Sequence, residues 1–61
     1  MVFRIQYFGK GVLVGAVSSR RSILEAREIA KQGIKLHGAE FAKILDMESL
    51  GLVLEIVKPD A

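Results

Sequence analysis

The stretch VFRIQYF at residues 2–8 decides the fold, because it alternates with a period of two. Phe3, Ile5 and Tyr7 fall on one face, and Arg4 and Gln6 fall on the other. The stretch is also rich in aromatic and β-branched residues, which pack well on a pleated surface. This pattern predicts a first β-strand with one apolar face.

The sequence GKG at residues 9–11 ends this strand and predicts a hairpin. A Gly-X pair is typical of a two-residue type II′ turn, here Gly9 and Lys10. With that turn, the apolar face of the first strand would lie opposite apolar residues of a second strand at 12–17. The expected pairs are Tyr7 with Val12, Ile5 with Val14 and Phe3 with Ala16.

A helix over residues 23–37 follows from its two end signals. Ser22 and Glu25 have the S-x-x-E spacing of an N-terminal capping box, and Gly38 stands where a left-handed C-terminal cap is expected. The predicted buried stripe contains small residues and a glycine, which costs about 1 kcal/mol against alanine inside a helix. We interpret Gly33 as allowing close approach of the helix to Phe3 and Tyr7.

Two more strands are expected at residues 39–47 and 52–57, joined by a turn at 48–51. The chain is therefore predicted to be one α+β domain, 1–61, with the order ββαββ. It would form a mostly antiparallel four-stranded sheet with one helix packed on one face. The strand order is 2-1-3-4 or 2-1-4-3, and the apolar character of the fourth strand on both faces favours a central place for it.

Composition excludes several classes of protein. The chain has no cysteine, so neither a disulfide nor a thiolate zinc site can form. No apolar run approaches the roughly 20 residues of a membrane span. We find no secretory signal and therefore expect a cytoplasmic protein. We also expect no cofactor, no metal and no membrane partner.

Catalytic candidates are sparse. His37 is the only histidine and falls in the last turn of the helix, where a basic side chain suits the helix dipole. Asp46 and Glu48 flank a turn, where carboxylates are usually solvated. No convergent set of nucleophile, base and oxyanion donors is visible, so we expect no enzyme and no catalytic residue.

Anion binding is the alternative function. Arg20 and Arg21 precede the N-terminus of the helix and form a possible anion site. Phe8 and Phe41 are expected beside basic residues on the outer sheet face, an arrangement that resembles sheets binding single-stranded nucleic acid. The aromatic and basic residues are nevertheless sparse, no RNP-like run is present, and the net charge of +2 is too small to predict nucleic-acid binding by itself. We therefore do not expect nucleic acid as a partner.

The outer sheet face is unusually apolar for a surface that one helix cannot cover. The expected core face consists of Phe3, Ile5, Tyr7, Val12, Val14, Ala16, Ala42, Ile44, Leu52, Leu54 and Ile56. The expected outer face carries Val2, Phe8, Leu13, Val17, Phe41, Leu45, Val53 and Val57. Its expected polar residues are only Arg4, Gln6, Lys43 and Glu55. Such a face exceeds what soluble monomers usually expose. We therefore predict a homodimer with sheet faces or edges in contact, and a different protein on the same face is the rival.

The whole chain resembles a group of small uncharacterised alphaproteobacterial ββαββ proteins. The likeness rests on four stretches: FRIQYF at 3–8, the helix from Leu24 through Ala30 to Gly33, HGA at 37–39, and AKILD at 42–46. These are structural positions, so the resemblance implies the fold and carries no activity or site residue.

Overall fold

The computed structural model describes residues 2–59. Its element order is β1 (Phe3–Gly9), β2 (Val12–Ser19), α1 (Ile23–His37), β3 (Phe41–Asp46), a 3₁₀ turn (Met47–Ser49) and β4 (Leu52–Val57). The expected α+β ββαββ fold is confirmed.

The four strands form one antiparallel sheet in the order β2-β1-β3-β4. This is the first of the two predicted orders. The apolar character of β4 on both faces does not give it a central place, because β4 is an edge strand. The helix packs mainly over β1 and β3, and it barely reaches the two edge strands.

Helix α1 begins and ends where its capping residues predict. The Ser22 side chain accepts a hydrogen bond from the Glu25 backbone N–H, and Gly38 adopts a left-handed φ of 64°. The Gly38 N–H donates to the carbonyl of Ile34. Hydrogen bonds between residues close in sequence therefore cap both ends of the helix.

Helix α1 and strand β1 approach each other very closely at Gly33, as the small residues in the buried stripe of the helix predict. A Cβ placed on Gly33 would lie 2.0 Å from Cζ of Tyr7. The Tyr7 hydroxyl donates to the backbone carbonyl of Ile29 over 2.9 Å, so the buried ring keeps its polar end bonded. Burial raises the pKa of the Tyr7 hydroxyl. The core contains residues of the two central strands and of the buried face of the helix, with Ala39 and one residue of β4. Its members are Phe3, Ile5, Tyr7, Ala26, Ala30, Ile34, Ala39, Ala42, Ile44 and Val57.

The first hairpin differs from the predicted one. Gly9 pairs with Val12, so the turn residues are Lys10 and Gly11, with φ of 53° and 79°. Two positive φ values are those of a type I′ turn, not the predicted type II′ turn. The Lys10 N–H donates to the Glu40 carboxylate, which holds this turn against the start of β3.

A bulge in β2 then changes the expected pairing. The register shifts between Tyr7 and Phe8, so that Tyr7 lies opposite Gly15 and Ile5 opposite Val17. The extra residue is Val14. Consequently Ala16, expected in the core, lies opposite Gln6 on the outer face, and Val17 lies on the helix side.

A second bulge, at Leu54, changes β4 in the same way. Val53 pairs with Leu45, but Glu55 pairs with Ile44 and Val57 with Ala42. Val57, expected on the outer face, is therefore buried in the core. Ile56, expected in the core, lies opposite Lys43 on the outer face and is exposed.

The edge strands contribute little to the core, in contrast to the expectation. Because the helix covers the central strands, even edge residues that face the helix side stay accessible. Six of the expected core residues are exposed: Val12, Val14, Ala16, Leu52, Leu54 and Ile56.

Candidate functional site

The open face is the side of the sheet turned away from α1. Cross-strand partners share a face, so the register defines its members from the positions opposite Arg4, Gln6 and Phe8 outward. The open face consists of Arg4, Gln6, Phe8, Leu13, Ala16, Ser18, Phe41, Lys43, Leu45, Val53 and Ile56.

Two aromatic rings and a lysine contact one another on the open face. Phe8 and Phe41 are directly opposite each other on β1 and β3. Their ring centroids are 5.2 Å apart and their planes differ by 13°. The Lys43 ammonium lies 5.1 Å from the centroid of the Phe8 ring, within the range of a cation–π contact.

The charge of the open face is purely positive among the positions that the register defines. The bulge at Leu54 turns Glu55 to the helix side, where its carboxylate accepts a 2.6 Å hydrogen bond from Nε of Arg27. This removes the one acidic residue that the sequence placed beside Arg4 and Lys43. An arrangement expected to be nearly balanced is therefore cationic.

The β4 edge, Leu52–Val57, is the second exposed apolar feature. Leu52, Val53, Leu54 and Ile56 are between 43% and 59% exposed. Leu52 lies opposite Asp46 and Val53 opposite Leu45, so the exposed side chains lie on both faces of the strand. Edge strands are commonly protected by charged residues or bulges, and β4 contains the bulge at Leu54 and one charged residue, Glu55.

Leu50, in the turn before β4, is unusual in both conformation and exposure. It has a φ of 57° and is fully exposed, at 102%. A left-handed conformation favours glycine or asparagine and costs a larger residue about 1 kcal/mol. Because Leu50 is both strained and exposed to solvent, it is a candidate contact residue.

The residues predicted for a dimer face divide into two groups. Phe8, Leu13, Phe41, Leu45 and Val53 lie together on the open face. Two others are corrected, because the bulges place Val17 and Val57 on the helix side. Val2 lies just before β1, where its carbonyl accepts a hydrogen bond from the N–H of Met47.

The predicted anion site contains carboxylates as well as guanidinium groups. Nη1 of Arg21 lies 3.1 Å from the carboxylate of Glu25 in an i,i+4 ion pair. Arg20 and Arg21 share a shallow depression with Glu25 and Glu28. Two carboxylates therefore offset the two guanidinium groups, which weakens any attraction for a small anion.

His37 and Asp46 are not brought together. The His37 ring lies 5.0 Å from the Tyr7 ring, whereas Asp46 pairs with Phe3, four residues away along β1 and about 13 Å distant at strand spacing. The Asp46 carboxylate instead accepts hydrogen bonds from the Glu48 N–H and the Ser49 hydroxyl. Over residues 2–59 no cluster of three potential metal ligands occurs.

An apolar groove between α1 and β2 was not anticipated. Its volume is about 440 Å³, and Val17, Ile29 and Leu36 line it beside Tyr7 and His37. Gly15 on β2 lies against the His37 ring, where an added Cβ would approach ring atoms to 3.1 Å. In the sequence, Gly15 is the signal for the bulge beside this groove, since an isolated glycine in a strand often marks a bulge.

Comparison with known proteins gave no match to any family model, curated protein or solved structure. Among the described residues, no helix has the length and apolar character needed to cross a membrane.

Proposed function

We propose that this protein is a small self-associating interaction module, a homodimer held by the β4 edges of two protomers. The observation that carries the proposal is the exposure of apolar side chains on both faces of β4. A contact between sheet faces would cover only one of these faces. Pairing of β4 with its symmetry copy shields the strand on both faces and bonds its free backbone groups.

The charge of the open face supports an edge contact over a face contact. Stacking two open faces would oppose Arg4 and Lys43 of one protomer to the same residues of the other. Lys43 lies on a central strand, so such a contact would bury cations without an acidic partner. An unpaired buried charge costs several kcal/mol.

Leu50 fits the same arrangement. In an antiparallel pair of β4 strands, the beginning of one strand lies beside the end of the other. The exposed Leu50 turn of one protomer would then lie near the Val57 end of its partner. Burial of this side chain would offset the cost of its left-handed conformation.

Light scattering from micromolar to submillimolar concentration tests the proposal. The expected mass is twice that of the 6.7 kDa chain. Leu54→Lys places a charge on the edge and should give a monomer. The matched control, Leu36→Lys, alters an equally apolar residue exposed on the helix and should leave the dimer intact.

Two further measurements separate edge from face contacts. Amide hydrogen exchange in β4 should slow as the concentration rises, because its edge N–H groups become bonded. Leu13→Glu, on the open face but on the opposite edge strand β2, should leave the mass unchanged. A monomer at all concentrations contradicts self-association, and a monomer produced by Leu13→Glu but not by Leu54→Lys contradicts the edge geometry.

A further inference from the structure

We infer that the open face binds single-stranded nucleic acid, with Phe8 and Phe41 contacting bases and Arg4 and Lys43 contacting phosphates. This inference does not depend on self-association through the β4 edge. It rests on the position of aromatic rings and cations on the central strands, which the tertiary structure brings together.

The charge of the open face is complementary to that of a nucleic acid. With Glu55 held by Arg27 on the helix side, the register places no carboxylate among the open-face residues. Arg4 and Lys43 therefore create a positive field over this face that no acidic neighbour on it offsets. The occupant that matches this surface is anionic.

Aromatic rings and cations share the open face of the central strands. The open-face positions of β1 run Arg4, Gln6, Phe8, and those of β3 run Phe41, Lys43, Leu45 in the antiparallel direction. The two rings therefore lie side by side at one end of this face, with Lys43 one step and Arg4 two steps farther along it. A single-stranded nucleic acid can match this layout, since bases can stack on the rings while the adjoining phosphates follow the cations.

The geometry of the aromatic pair fits base contacts. The Phe8 and Phe41 rings are nearly parallel and both are partly exposed, so a base can stack on the outer side of the pair. Lys43 lies against the Phe8 ring, and its flexible stem lets the ammonium reach a phosphate beside a stacked base. Gln6 pairs with Lys43 and offers both a donor and an acceptor to a base edge.

Duplex DNA does not fit the same face. Adjacent strands are about 4.8 Å apart, so the four strands span about 14 Å before side chains are added, against a major-groove width of about 12 Å. The flat sheet therefore cannot enter the groove. An unpaired strand can lie across it.

Fluorescence anisotropy of fluorescein-labelled oligothymidylate at low salt tests the inference. Arg4→Gln/Lys43→Gln should weaken binding at least tenfold and reduce the slope of log affinity against log salt by about 1.4, since each phosphate contact to a single strand contributes about 0.7. Both side chains lie on the surface, so circular dichroism should show an unchanged fold.

The matched control is Arg20→Gln/Arg21→Gln, which removes the same charge from the loop before α1. It should leave the salt slope unchanged and weaken binding far less than the face variant. Phe41→Leu keeps an apolar side chain but removes the ring, and should weaken binding at least about fivefold. Phe41→Tyr keeps the ring and should bind like the wild type.

Three outcomes would overturn the inference. The first is no anisotropy change with wild-type protein at low salt, which would leave an acidic protein as the partner of this face. The second is an equal loss of binding in the loop and face variants. The third is equal affinity for a duplex of the same length.

Discussion

The central strands β1 and β3 and the edge strands β2 and β4 follow different rules. On the central strands, the alternating residues expected in the core are at most 2% exposed. On the edge strands, residues expected in the core are 41% to 59% exposed, as Val14 and Leu52 illustrate. The two regions have similar apolar composition, so composition does not explain the difference.

The difference comes from the number of neighbours. A central strand is bonded on both sides and lies under the helix, so an extra residue would break two ladders. An edge strand is bonded on one side and can accommodate a bulge. Both edge strands have one, at Val14 and Leu54. Alternation therefore predicts faces reliably only where two neighbours enforce it.

The largest expected effect separates Ile44 on β3 from Ile56 on β4. Ile44 is fully buried, whereas Ile56 is 52% exposed. Ile44→Ala should lower the free energy of unfolding by about 4 kcal/mol, and Ile56→Ala by about 0.5 kcal/mol. Urea denaturation at a concentration that keeps the protein monomeric measures both. Ile44→Val, expected to cost about 1 kcal/mol, gives a readable value if the alanine variant fails to fold.

A smaller contrast separates two glycines. Gly33→Ala places a Cβ against the buried Tyr7 ring and should destabilise the fold by about 2 kcal/mol, after allowing for the better helix propensity of alanine. Gly15→Ala places a Cβ against His37, whose ring is exposed and can turn away, so its effect should stay within about 0.5 kcal/mol. Thermal unfolding checks both. Equal effects would show that helix packing is as tight over β2 as over β1.

The smallest effect tests the bulge in β4 directly. A double-mutant cycle with Arg27→Gln and Glu55→Gln should give a coupling energy of about 0.5 kcal/mol, a value that reflects the partial exposure of both side chains. The coupling should fall as salt is added. If Glu55 instead followed strict alternation onto the open face, its coupling with Arg27 would be zero, and coupling with Lys43 would appear in its place.

Much of the fold could be predicted from local sequence. The alternation at residues 2–8 and the cap residues Ser22 and Gly38 each act over a few positions, and the strand and the helix ends predicted from them are confirmed. The close approach predicted at Gly33 is confirmed for Tyr7. The candidate site could be predicted only in part. Phe8, Phe41 and Lys43 were placed on one face, since they lie on unbulged central strands.

The sequence by itself determined the four strands, the helix with both of its ends, and the apolar face of the central strands. Periodicity and capping carry this information because they depend on neighbours in the chain. Only the tertiary structure decided which strands lie at the edges and where the ladders shift by one residue. Those shifts move Glu55 to Arg27 and expose Ile56, because a bulge depends on how an edge strand pairs with its neighbour and, at Glu55, on a contact with a residue of the helix that is distant in sequence. The positive charge of the open face is therefore a property of the fold, and the side chains that create it are a property of the sequence.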